Sequence, residues 1–221
     1  MSLAAVGLAL AVLCVACASQ QHRSRAPAGG AATSSGAATS APPGAATSAP
    51  PGGLIVKAFT PFAATGTLAV PVADQLSGYC WTGSIAVPKA GTYRCLVGNA
   101  IYDPCFAPPN QPSSSTVACV PDPWSAAHLV TLTKALPTSK PLASRTSPWA
   151  LELANHVRCV AGTGTVPVVD GVSLSYVCGS GMAAGLVAGP VAQNGSHLTV
   201  KYGSPAGTTL AVVAVTTAWR G

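Results

Sequence analysis

Charge is scarce in this chain. Only 7% of its 221 residues are Asp, Glu, Lys or Arg, against about a quarter in ordinary soluble domains. Acids are the rarest, five against eleven Lys and Arg, for a formal net charge of +6. Acid–base catalysis therefore has few carboxylates to draw on. Aromatic residues make up 5% of the chain, so the core must rest on small Ala and Val side chains, each contributing little on burial. A basic cluster is also missing. Lys57, Lys89, Arg94, Lys134, Lys140, Arg145, Arg158, Lys201 and Arg220 stand singly, which argues against nucleic acid as a partner. No G-x-S-x-G, G-K-[ST] or C-x-x-C occurs, so the sequence offers no nucleophile elbow, phosphate loop or paired zinc half-site. No metal or cofactor is implied.

What the chain does have is glycine, proline and cysteine. Gly 23 and Pro 20 favour turns and short strands over long helices. Residues 1–17, MSLAAVGLALAVLCVAC, hold an apolar run too short to span a bilayer and of signal-peptide length. Cys17 after Ala16 resembles a lipidation site, while Ala16-Cys17-Ala18 also reads as an A-x-A cleavage site releasing Ser19. Residues 18–53 read as a disordered linker. The octad GAATSAPP at Gly36–Pro43 repeats at Gly44–Pro51, and such a stretch has no core and extends as a semi-stiff spacer.

With Cys14 and Cys17 assigned to the signal or its lipid, six cysteines remain: Cys80, Cys95, Cys105, Cys119, Cys159 and Cys178. An even set in an exported chain reads as three disulfides, with fifteen pairings open. Joining sequence neighbours is the simplest scheme. The last pair is the best motivated, because Asp170-Gly171 supplies a hairpin turn between Cys159 and Cys178.

The body, 54–221, is predicted to be mostly β: a disulfide-stapled small sandwich or meander-type fold, divisible into lobes 54–140 and 148–221. Leu54–Phe62 and Thr67–Val72 read as short strands broken at Pro61 and Pro71. The segment HLVTLTK alternates as a strand should. WALELAN reads equally as a strand or as a helix opened by Ser147 and Pro148. Gln193–Ser196 signals a second hairpin. The closing run Leu210–Trp219 is expected to lie buried on both sides. Trp81, Trp124 and Trp149 are expected to pack, Trp81 against its neighbouring disulfide, rather than to form an exposed platform.

For chemistry, Glu152, Asp170 and Ser180 are candidates if folding brings one of them to His128, His156 or His197. None is part of a recognisable pair, and Asp170 is already explained by its turn. The argument leans away from an enzyme and towards a binding or structural role, with a secreted hydrolase as the alternative.

The segments CWTGSIA, YRC, GNAIYDPCF and PWALELAN…RC…VDGVSLSYVCG resemble a domain of exported actinobacterial proteins and lipoproteins of unknown function. The resemblance covers roughly Tyr79 to Gly179 and the closing strand to Trp219. It departs at His156, where glycine is expected after Asn155. The resemblance agrees with what the apolar leader, the cysteines and the spacer already lead one to expect: export to the outer face of the membrane or cell wall, or secretion, with membrane attachment through a lipid and cell-wall glycan or an envelope protein as partners. It transfers no catalytic residue.

Overall fold

The computed structural model describes residues 53–111, 113–138, 147–179, 185–203 and 209–221. The expected signal segment with Cys17, the expected linker up to residue 52, the stretch 139–146 and Ser180 lie outside them. Among the described residues every regular element is a strand.

The chain enters through β1 (Ile55–Ala58), which pairs in parallel with the last strand of the fold. It then runs through β2 (Val72–Gly83), β3 (Thr92–Val97), β4 (Ala100–Phe106), β5 (Thr116–Cys119) and β6 (Ala127–Leu132). These five form an antiparallel meander that closes into a barrel. Each hairpin reverses the chain, so after an odd number of strands the last runs with the first. β2 and β6 accordingly pair in parallel, from Asp74 opposite His128 to Gly78 opposite Leu132.

The second sheet contains β7 (Ala150–Leu153), β8 (Arg158–Ala161), β11 (Tyr176–Cys178), β12 (Leu186–Ala188), β13 (Ala192–Asn194), β14 (His197–Gly203) and β15 (Ala211–Arg220), while β9 (Val168–Val169) and β10 (Val172–Ser173) form a small ribbon of their own. Pairing of β14 with β15 closes β15, β7, β8, β11, β12 and β14 into a ring. An even number of strands closes antiparallel throughout. Because β1 sits in this second sheet, the two lobes are not contiguous in sequence.

The body is thus all β and disulfide-stapled. The bonds are Cys80–Cys95, Cys105–Cys119 and Cys159–Cys178. Each joins residues directly opposed on neighbouring antiparallel strands. Loops of this length should each stabilise by about 3 kcal/mol through the unfolded chain. Three disulfides fit an oxidising, extracytoplasmic compartment.

Local readings meet mixed outcomes. WALELAN is a strand, because β8 and β15 pair with both its edges. Asp170 and Gly171 both adopt positive φ, 50° and 70°, as a two-residue hairpin turn requires. Thr67–Val72 is not a strand, and only a single bridge, Phe62 to Leu68, stands there. The real strand is the twelve-residue β2 that starts at Val72. Its polar opening, VADQ, is exposed and gives no alternation to read. β15 is central, yet Val213, Val215 and Thr217 are buried while Val212 is exposed. It is covered on both faces only near Thr217–Trp219, where Trp124 packs edge-on against Trp219, 4.7 Å between ring centroids. Trp81 does not pack on its disulfide. It is 42% exposed at a bulge, because the residue after an inward-facing Cys points outward, and Arg94 lies over its ring.

Candidate functional site

Strand alternation creates the most elaborate cleft. Tyr176 and Cys178 of β11 face the interior, so Val177 between them faces out, opposite Val160 of β8. These two valines lie where two depressions meet. One, of about 650 Å³, is walled by Asp122, Trp124, Glu152, His156 and Arg158. The other, of about 340 Å³, runs past Ile101, Tyr102 and Thr163. Together they make an elongated trough.

Its walls are positioned by local chemistry. Asp122 accepts hydrogen bonds from the Trp124 N–H and the Ser125 hydroxyl, both at 2.8 Å. This Asx turn presents Trp124 half-buried. The Arg158 guanidinium lies 4.9 Å from the Trp124 ring centroid, and Lys57 lies 5.4 Å from that of Trp219. Two cations thus flank two indoles packed edge to face. Glu152 is half-buried on β7, and among the described residues its carboxylate has no hydrogen-bond or ion-pair partner. His156 sits in the β7–β8 turn with φ 62°, a left-handed conformation that favours glycine. That is the position where the resemblance leads one to expect glycine, and histidine occupies it at the rim of the cleft.

The sequence candidates therefore divide. Glu152 and His156 reach one cleft but do not hydrogen-bond to each other. Asp170 belongs to its turn and does not line the trough. His197 is exposed at the β13–β14 turn, and Ser180 is outside the described residues. His128 does meet a carboxylate, that of Asp74, at 2.7 Å, with Tyr102 edge-on to its ring. No serine or threonine hydroxyl hydrogen-bonds to this pair among the described residues, and neither member lines the trough, so the pair fastens the parallel β2–β6 seam. Sequence reasoning missed Asp74 because its partner is 54 positions away.

Two further features are structural. The sulfurs of Cys95, Cys105 and Cys119 lie within 4.8 Å of one another. All are in disulfides and so lack the thiolate that a metal needs. The Asp103 side chain is almost fully buried, 1% exposed. It accepts from the Ser84 hydroxyl and from the N–H groups of Ile85, at 3.0 Å, and Ala86, at 3.4 Å. Burial raises its pKa above the ordinary value, against the pull of these donors and of Arg94. Its role is to hold the β2–β3 loop.

Comparison of the chain with protein-family models, curated proteins and solved structures finds no match.

Proposed function

We propose that this chain is a non-enzymatic envelope protein whose trough holds cell-wall glycan. The observation that carries the reading is the Trp124 wall: a half-exposed indole, backed by Trp219 and flanked by Arg158, beside the unpartnered carboxylate of Glu152. Aromatic faces pack on the apolar faces of sugar rings while neighbouring polar groups bond the hydroxyls. Attachment through a lipid on Cys17 and display on the 18–53 spacer complete the proposal, following the resemblance to exported actinobacterial lipoproteins. An envelope protein is the other partner class considered. Intact-mass analysis of the membrane fraction tests the anchor: a lipid adduct on Cys17 supports it, and an unmodified chain starting at Ser19 refutes it.

The alternative, a secreted hydrolase, draws on one observation, that Glu152 and His156 share a cleft. Retention of the full chain on cell-wall fractions, measured beside an esterase and glycosidase panel, separates the two. Saturable binding lost in Trp124→Ala, without turnover, supports the glycan reading. Turnover abolished by Glu152→Gln or His156→Gln replaces it.

A further inference from the structure

A pocket of about 400 Å³ shares no lining residue with the trough. It is formed by the β2–β3 loop, the entry to β7, the β13–β14 hairpin and the end of β15. Its apolar wall includes Val87, Val191 and Leu198. Trp149 also lines it, only 2% exposed, and the Trp149 Nε1–H is buried with no acceptor. Buried indole N–H groups normally have partners, and an orphaned donor is unfavourable. Lys89 and Arg220 complete the lining. Neither is ion-paired among the described residues, and no Asp or Glu lines the pocket. Partial burial draws the Lys89 ammonium below its usual pKa, a penalty that a neighbouring anion would relieve.

The loop carrying Lys89 is already fixed. The Ser84 hydroxyl bonds the Val87 N–H at 2.9 Å, and the Thr92 hydroxyl bonds the Lys89 carbonyl at 2.7 Å. Asp103 anchors the same loop through the Ile85 and Ala86 N–H groups. Little ordering is left for a ligand to impose.

We propose that this pocket binds a small amphipathic oxyanion, a carboxylate or phosphate monoester on a short apolar body. Lys89 and Arg220 pair with the anion, the valine and leucine side chains cover its hydrocarbon, and the Trp149 indole lies in the wall as a reporter of occupancy. The four tryptophans give four indole N–H resonances in the ¹⁵N-labelled full chain. That of Trp149 is assigned by Trp149→Phe or, should that variant not fold, by its slow exchange with solvent. Hexanoate and hexyl phosphate are titrated in, with hexanol and hexylammonium as controls. Both anions are expected to shift the Trp149 signal saturably, the tighter of the two naming the source of the oxyanion, while the controls leave it in place. Lys89→Gln and Arg220→Gln alter exposed side chains and should each weaken binding about ten-fold, as loss of a charge-assisted contact does. No saturable shift, hexanol binding as well as hexanoate, or unchanged affinity in both variants would overturn the proposal.

Discussion

The two closed sheets reach stability by different means. The buried core of the five-strand barrel consists of Cys80, Cys95, Cys105, Cys119, Val117 and Val130. No buried Leu, Phe or Trp is among them, and two cystines fill the space that large side chains would take elsewhere. The second sheet has one cystine, and the core it shares with Phe106, Ala118 and Ala127 on the outer side of the barrel strands contains Trp149, Leu151, Leu153, Tyr176, Leu198 and Val200. Inside the barrel the fully buried apolar side chains are few, with Leu76, Tyr93, Tyr102 and Leu132 only partly buried around them, so sulfur serves there as both crosslink and filling. In the six-strand ring the crosslink supplements a core that is already large.

This contrast breaks if the disulfides prove interchangeable. Cys105→Ala with Cys119→Ala opens a separation of 14 residues, and Cys159→Ala with Cys178→Ala one of 19. Chain entropy alone assigns both a loss of about 3 kcal/mol. Both cystines are buried and leave a cavity, but the barrel's lies in a six-residue core with few neighbours to close over it, so its loss should exceed that of the ring variant by about 1–2 kcal/mol. Urea unfolding of each double variant measures the difference, and equal losses would dissolve the distinction.

Backbone spacing sharpens it. A Cβ on Gly78 of β2 would lie 2.3 Å from the Leu96 carbonyl oxygen and 2.8 Å from the Val97 side chain. Strands cross so closely there that only glycine fits, and Gly78→Ala should destabilise by about 3 kcal/mol. Gly189, just past β12 of the second sheet, meets Val172 Cγ1 at 3.1 Å, Lys201 Cβ at 3.3 Å and the Lys201 carbonyl oxygen at 3.4 Å. These contacts need only a few tenths of an ångström of give, so Gly189→Ala should cost less, about 1 kcal/mol. Thermal unfolding that ranks the two the other way would contradict a tightly wound barrel.

The barrel also carries the buried carboxyl. Because burial raises the pKa of Asp103 above the ordinary 3.8, the folded state binds its proton more readily than the unfolded chain. This group's contribution therefore falls as pH rises from 3.8 through the raised value, opposite in sign to an aspartate whose partners outweigh its burial. Wild type should gain stability relative to Asp103→Asn as pH drops through that window, while the remaining carboxylates cancel in the comparison. Urea midpoints of both proteins between pH 7 and pH 4 give the slope, and a slope of opposite sign would show that the Ser84, Ile85 and Ala86 donors outweigh burial.

The same contrast governs what the sequence let one read. All-β character followed from Gly, Pro and the missing helical period, and the Asp170-Gly171 hairpin from turn chemistry. What escaped was non-local. Closure of the barrel depends on β2, whose exposed VADQ start lacks alternation, meeting β6 about 54 positions on. The Trp124 wall depends on Trp219 from the last strand. Glu152 and His156 were visible as residue types, but their shared cleft needed the β7–β8 turn and the outward face of β11. The unpaired indole N–H of Trp149 leaves no trace in sequence at all.

The smallest effect expected separates stability from binding at two turns of the C-terminal half. His156 and Asp170 both hold positive φ, 62° and 50°, where a side chain costs about 1 kcal/mol relative to glycine. Glycine also loses more entropy on folding, so the net gain from His156→Gly or Asp170→Gly should be about 0.5 kcal/mol. Asp170 lies in the β9–β10 turn and does not line the trough, so Asp170→Gly should leave retention on cell-wall fractions unchanged. His156 lines it, so His156→Gly should raise the thermal midpoint slightly while weakening that retention. A strained side chain kept at the rim of a cleft is the expected trade when a turn position also serves binding. If both variants gain stability and neither changes retention, the strain at His156 serves no binding role and the trough's sugar-facing wall must be redrawn around Trp124 and Glu152 alone.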